Sequence, residues 1–233
     1  MTALDRLYSY FPLLLTLTAS LALAALAAWP SGWTIFLLIS VIYLLPPIFL
    51  RILLRWSAIT IGVSKIDGRK FSPWLAAHHI QVFYDALPFL EALLRVIPGF
   101  YSMWLRLWGS RIGYGVEWSV NVSVLDRNLM HIGNRVTFSR HVELSAHVRR
   151  KTEGGSIVLV RPVHIGSYAF IGAGAQIGPG ASIPSNANVP PLAIVDVNEV
   201  FGEGERHPSP EEAQFELTPS PALLPPTQAP HPR

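Results

Sequence analysis

The chain has 233 residues, half of them apolar and only 14% charged, against about 25% charged in ordinary soluble domains. A formal net charge of +3 with no long basic run excludes a nucleic-acid-binding protein of the usual kind and suits attraction to an anionic membrane surface. Cysteine is absent, which rules out disulfides, thiolate metal sites and a cysteine nucleophile.

Between Arg6 and Arg51 there is no Asp, Glu, Lys, Arg or His. The run is long enough for two helices of about 20 residues, the length a bilayer core requires. Trp29-Pro30-Ser31-Gly32-Trp33 interrupts it with turn residues flanked by two indoles, side chains that favour the membrane interface. The expected first unit is therefore a transmembrane hairpin over residues 1–57. Its helices fall near Leu7–Ala28 and Trp33–Leu54, with a kink at Pro46-Pro47. The competing reading is a cleaved signal peptide ending in the small-residue run Leu-Ala-Ala-Leu-Ala-Ala through Ala28. Asp5 offsets Arg6, and a second apolar segment comes at once, so the hairpin is preferred. Arg51, Arg55, Lys65, Arg69 and Lys70 come after the second span and oppose an uncharged turn. Both termini are thus expected on the cytoplasmic side of the cytoplasmic or an equivalent internal membrane.

Residues 58–109 change to short amphipathic helices. Ser72-Pro73 supplies a cap and a first-turn proline. Trp74, Phe83, Tyr84, Phe89, Phe100, Tyr101, Trp104 and Trp108, with Arg95 and Arg106 among them, suit the headgroup zone. The other reading is a small helical subdomain packed on the C-terminal half of the chain.

Residues 110–201 carry an internal repeat, and it decides the fold. From Ile165 the chain reads IGSYAF, IGAGAQ, IGPGAS, IPSNAN, VPPLAI. Ile165, Ile171, Ile177, Ile183 and Val189 lead the units, and Ala169, Ala175, Ala181, Ala187 and Ala193 come four residues after each. Upstream, Ile112, Trp118, Ile132, Phe138 and Leu144 lead further units. The blocks are out of phase across a short insertion near Asn128–His131, and a second break falls near Arg149–Ser156. A six-residue period makes one short strand and one bend per unit, with leader and fifth residue inward and Gly or Asn at the bend. Three units close one coil, and stacked coils enclose an aliphatic interior. The expected fold class is a membrane-anchored α + β-solenoid, a parallel β-helix behind a helical hairpin. From Gly202 to Arg233 the composition is proline-dense and poor in aliphatics, which predicts a disordered tail.

Units of the form Ile/Val/Leu-Gly-x-x-Ala/Val-x over about Ile112–Val197 resemble the hexapeptide-repeat acyltransferase superfamily. The lead-in Trp104-Leu-Arg-Leu-Trp-Gly-Ser-Arg-Ile-Gly and the run Val189-Pro-Pro-Leu-Ala-Ile-Val are similar to membrane-associated bacterial members of the colanic-acid acetyltransferase type. The resemblance implies left-handed winding, a homotrimer with active sites between subunits, and acetyl-CoA or another acyl-CoA as donor. It also implies a histidine general base just after a coil and before a loop. Such chemistry needs a group that titrates near neutrality and a donor for the developing oxyanion.

Leu144-Ser-Ala-His147 occupies that position, so His147 is the first candidate base, and His141, one hexad earlier at the same phase, is the second. His131 and His164 each precede an Ile-Gly unit and read as bend residues; His78-His79 reads as incidental. Zinc is the other use of histidine on this scaffold, but the family's pair five residues apart is missing, so no metal is expected. For the acyl-CoA, Gly172, Ala173, Gly174, Gly178 and Gly180 offer a narrow surface to a pantetheine arm. Arg161 and Lys151 are the candidates to neutralise its phosphates. The closing region departs from the family pattern: Asp196-Val-Asn-Glu-Val-Phe201 is acidic where a basic residue is expected, and the coils between Ile177 and Val189 read as shortened.

Two functional readings result. One is an acyl-CoA-dependent O-acetyltransferase acting on a membrane-held hydroxylated acceptor such as a lipid-linked sugar, glycolipid or isoprenoid; surface confinement would raise the effective concentration of both. The other is a non-catalytic assembly protein that uses the β-helix as a docking platform on a membrane complex.

Overall fold

The apolar N-terminal run folds into two antiparallel helical arms. The first comprises α1 (Ala3–Ser9) and α2 (Phe11–Ala28), the second α3 (Gly32–Ile39), a π-helical turn (Ser40–Leu44) and α4 (Leu45–Trp56). This computed structural model describes residues 2–67, 70–152 and 155–202. The expected tail lies, from residue 203 on, outside the described residues, as does Arg69. The arms Ala3–Ala28 and Gly32–Trp56 are long and apolar enough to cross a membrane by length and composition, with mean hydropathies of 2.0 and 2.3. Ser31 caps α3 by accepting from the Thr34 backbone N–H, and the Thr34 hydroxyl accepts from the Ser31 N–H in return.

The Pro46-Pro47 pair explains the π-helical turn. Neither proline has an N–H, so the carbonyls four residues back, on Ile42 and Tyr43, lose their helical partners. The ladder widens by one residue, and the Leu45 N–H reaches the Ser40 carbonyl. The two orphaned carbonyls are met from outside the helix: Tyr84 Oη donates to Ile42 O, and Trp104 Nε1 donates to Tyr43 O at 3.0 Å. The proline pair thus acts as a docking point for the helical layer beyond the arms.

That layer consists of α5 (Pro73–Ala86), α6 (Phe89–Arg95) and α7 (Phe100–Trp108), preceded by the strand β1 (Gly62–Ile66). Helix α5 buries Trp74, Leu75, Ala77, Ile80, Phe83 and Tyr84. Gly99 (φ 82°) and Gly109 (φ 117°) bracket α7 in left-handed conformations that a side chain would strain.

Beyond Gly109 the hexads become strands. The first coil holds β2 (Arg111–Ile112), β3 (Glu117–Trp118) and β4 (Ser123–Val124); the second holds β5 (Met130–Ile132), β6 (Thr137–Phe138) and β7 (Glu143–Leu144). A hairpin of β8 (His147–Thr152) and β9 (Gly155–Val160) comes next. The third coil holds β10 (Val163–Ile165), β11 (Phe170–Ile171) and β12 (Gln176–Ile177), and the fourth β13 (Ser182–Ile183), β14 (Asn188–Val189) and β15 (Ile194–Val195). Parallel pairing stacks them into three four-stranded sheets, in the orders β13-β10-β5-β2, β14-β11-β6-β3 and β15-β12-β7-β4. These stacks fit a β-helix of the hexapeptide type. The leaders sit in register, Trp118 on Phe138 on Ile171 on Val189, and the Trp118 and Phe138 rings stack at 4.5 Å. The third and fourth coils are both complete, so the expected shortening between Ile177 and Val189 does not occur.

The fourth residue of each regular unit takes the bend with positive φ, as at Asn121, His141, Gly174, Asn186 and Asn198. The second residue is glycine for a different reason. A Cβ on Gly172 would stand 2.4 Å from Pro191 N, and one on Gly166 would stand 2.3 Å from Ser185 N, because the next coil lies directly against them. The break predicted near Arg149–Ser156 is the β8–β9 hairpin, and β1 adds to it antiparallel, from Gly62↔Val160 to Ile66↔Ser156. The chain leaving the helical arms is thereby zipped to the β-helix. One apolar core runs from Leu15 and Leu50 through Ile80, Trp104 and Trp108 to Ile171 and Val195.

Candidate functional site

Two units fail to form the standard bend, and the site lies where they fail. In the third unit of the first coil, Val124-Leu-Asp-Arg127 leaves the coil to make the insertion before β5. In the third unit of the second coil, Leu144-Ser-Ala-His147 leaves it to make the β8–β9 hairpin. Strand β4 pairs with β7 through Ser123↔Glu143 and Val124↔Leu144, so Asp126 comes beneath Ala146 and His147. The Asp126 carboxylate accepts from the Ala146 N–H at 2.8 Å and from His147 Nδ1 at 2.7 Å through the same oxygen, Oδ2. A carboxylate only accepts, so Nδ1 carries the proton and Nε2 is the nitrogen that can take one up. The Asp126 side chain is 3% exposed and that of His147 15%. Ser145 Oγ donates to the His147 carbonyl at 2.8 Å, which fixes the backbone at the exit from the coil.

Helix α5 supplies the rest of the surroundings. The Trp74 ring lies 4.8 Å from the His147 ring, and His78 meets it edge-on at 5.6 Å while stacking on Trp74 at 5.4 Å. Burial holds the His78 imidazole below its ordinary value; the neighbouring His147 adds to that effect and Asp126 opposes it. His78, read from sequence as incidental, is therefore part of the His147 environment.

Next to this pair lies a second buried constellation. Arg127 is 2% exposed, with Nε donating to Glu91 at 2.6 Å, Nη2 to Asp85 at 2.8 Å, and its backbone N–H to Gln81 Oε1 at 2.7 Å. Burial opposes its charge, and Glu91 and Asp85 more than offset this, leaving its pKa above the ordinary value. The network locks α5 and α6 to the residues beside Asp126, so the position of the carboxylate depends on the helical layer.

The other predicted residues are dispersed. His141 is an exposed bend residue with φ 59°. His131 and His164 are strand residues, not bend residues: they pair in register on β5 and β10, with Nδ1 atoms 3.4 Å apart. Burial, then His164 and Arg111, hold His131 below its ordinary value. With Arg111 and Ser182 the two histidines line a shallow cavity of about 480 Å³ on the outer face of that sheet. Gly172 is filled by coil stacking; Gly174 and Gly180 sit at bends with φ 72° and 74°, against Leu192 and Asn198. Ala173 lies in the bend with Gly172 and Gly174, and a Cβ on Gly178 would stand 3.2 Å from the Asp196 carbonyl carbon. Arg161 comes just after β9 and lines a cavity of about 270 Å³ with His164, Gly180 and Asn198. Lys151 pairs with Ser156 near the far end of the hairpin, so a single chain does not bring it beside Arg161. Among the described residues no group of three or more His, Cys, Asp or Glu could hold a metal ion. The acidic closing stretch folds on itself, with the Asp196 N–H donating to Glu199 at 2.7 Å.

Asp126 is the residue that sequence reasoning misses. Its signal is the insertion itself: it directly precedes the residues that break the hexad phase, as His147 directly precedes the second break.

Neither a protein-family model nor a curated protein matches the sequence. Among solved structures, the chain is similar to a maltose O-acetyltransferase from Clostridium difficile 630, at 19% identity over 48% of this chain and 76% of that one, with a TM-score of 0.35. It is similar to a hexapeptide-repeat-containing acetyltransferase from Vibrio cholerae at 17% identity, over 48% of this chain and 86% of that one, with a TM-score of 0.33. A galactoside acetyltransferase in complex with coenzyme A matches at 14% identity, over 52% of this chain and 88% of that one, with a TM-score of 0.27.

Proposed function

We propose that the chain is an acyl-CoA-dependent O-acetyltransferase anchored in a membrane by its N-terminal hairpin, with His147 as general base and Asp126 as its positioning residue. The observation that carries this is the 2.7 Å contact between His147 and a buried carboxylate at the point where the chain leaves the second coil. Asp126 holds Nδ1, which turns Nε2 toward a hydroxyl acceptor and stabilises the imidazolium once the proton has moved. The acceptor oxygen attacks the thioester carbonyl, CoA thiolate leaves, and the proton held at Nε2 passes to the leaving sulfur. The family resemblance implies left-handed winding and a trimer with the donor lying in the groove between subunits, where Lys151 of one chain would face the glycine bends of another. A membrane-held acceptor, such as a lipid-linked sugar, accounts for an anchor on such an enzyme.

A second reading draws on the cover over His147. Trp74 and His78 lie against its ring, an arrangement that also suits a β-helix retained as a docking platform. Thermal unfolding with CoA in detergent separates the two. A donor site raises the melting temperature as CoA increases, by ligand linkage; a melting temperature unmoved at millimolar CoA contradicts the enzyme reading.

A further inference from the structure

The part of the hairpin that stands free of other protein is too short to cross a bilayer, although each whole arm is long enough. From Thr16 to Ser40 the sole buried residue is Ala22, so this is the part of the hairpin free of other protein. Its arms, Thr16–Ala28 and Gly32–Ser40, are roughly 20 and 14 Å long at about 1.5 Å per residue. A hydrocarbon core is about 30 Å thick. At the tip, Trp29 and Trp33 are exposed and the last carbonyls of α2 lack helical donors. An irregular turn facing lipid is not tolerated inside the hydrocarbon, so the tip belongs at the far interface. About 10 Å of depth is missing along the first arm and about 16 Å along the second, so the protein-packed part of the hairpin and the element packed on it must enter the hydrocarbon as well.

Helices α6 and α7 have the surface for that. Every exposed residue from Pro88 to Met103 lacks a polar side chain, and the ridge comprises Phe89, Leu93, Val96, Ile97, Phe100 and Met103, with Val96 77% exposed. The charged residues in the same stretch are turned inward, Arg95 on Glu91 at 2.9 Å and on the Val122 carbonyl at 2.7 Å. The depth agrees as well. Leu90 O accepts from Tyr43 Oη, and Trp104 reaches the Tyr43 carbonyl, a level roughly 12 Å along the second arm from Arg51. Arg51 is the first charge on the second arm, and it donates to the carbonyl of Arg106, the exposed charge of α7.

Resting on the membrane reading above, we infer that α6 and α7 form a collar sunk about 5–10 Å into the near leaflet, the depth at which amphipathic interfacial helices lie, their Phe89–Met103 ridge covered by lipid acyl chains. The first coil of the β-helix then sits on the bilayer surface. A lipid-borne acceptor would meet the protein at the collar rim, beside the cavity of about 630 Å³ between Ile97, Tyr101, Arg106 and Trp118.

The natural chain has no cysteine, so single thiols can report depth. The full chain would be reconstituted in phosphatidylcholine–phosphatidylglycerol vesicles with an environment-sensitive fluorophore at Val96→Cys or Met103→Cys on the ridge, Phe36→Cys on the hairpin, and Tyr114→Cys on the first coil. Quenching of the ridge labels by lipids brominated along the acyl chain, together with the hairpin label and unlike Tyr114→Cys, is the expected result. A quenched hairpin label with ridge labels open to aqueous iodide overturns the collar and leaves the anchor standing. Ridge labels shielded from both quenchers and cross-linked between chains would assign the ridge to a second copy and overturn the inference. If the hairpin label is not quenched either, the membrane reading itself fails.

Discussion

His78 shows how one side chain carries the state of its surroundings. Packed between Trp74 and His147, it is held in its neutral form by burial. Its folded pKa lies below the unfolded value of about 6.5. Above that pH neither state is charged and the packing contributes in full; as the pH falls through it, the unfolded chain gains a proton that the folded chain refuses. Stability therefore declines on acidification, with a slope of at most ~1.4 kcal/mol per pH unit from this group. Denaturant titrations between pH 7.5 and 5 should show that decline, shallower in His78→Phe. Parallel profiles in the two proteins would contradict the assignment. His78 was not legible in the sequence because its significance lies in a contact across 69 positions with His147. By contrast His147 was legible, since its place at the end of a hexad run is a local feature.

At the scale of elements, the proline pair in the second arm is the clearest case of sequence making a contact obligatory. Pro46 and Pro47 leave two carbonyls without donors, and Tyr84 and Trp104 supply them from α5 and α7. Tyr84→Phe should cost about 1–3 kcal/mol, the penalty of an unmet buried acceptor. In a Pro46→Ala background the restored N–H meets Ile42 instead, so the same substitution should cost markedly less. Unfolding energies from the double-mutant cycle test this directly, and an additive cycle would contradict it. The sequence announces a kink here but not the partners, because prolines report which acceptors are orphaned and not what reaches them. The hexads were readable for the opposite reason: each leader meets the leader of the next coil, so the partner is encoded in the same period.

The whole molecule couples the helical layer to the β-helix, and Arg127 is a buried charged link between them. It joins Glu91 of α6 and Asp85 of α5 beside the site carboxylate. Arg127→Met should destabilise by about 3–5 kcal/mol, since it leaves buried carboxylates uncompensated. Adding Glu91→Gln should recover part of that loss, and a Tm unchanged by Arg127→Met would show the link to be idle. This network was hidden in the sequence for the same reason as Asp126: Asp126 and Arg127 border the insertion between the first two coils, where the period that fixes neighbours is suspended. The central claim is that Asp126 and His147 form a working pair. It is tested most directly by acetyl-CoA turnover in detergent-solubilised protein, comparing the natural chain with His147→Gln and Asp126→Asn at matched folding. The account predicts measurable turnover that falls about 10²–10⁴-fold in His147→Gln and about 10–100-fold in Asp126→Asn. Turnover unchanged in His147→Gln would contradict it.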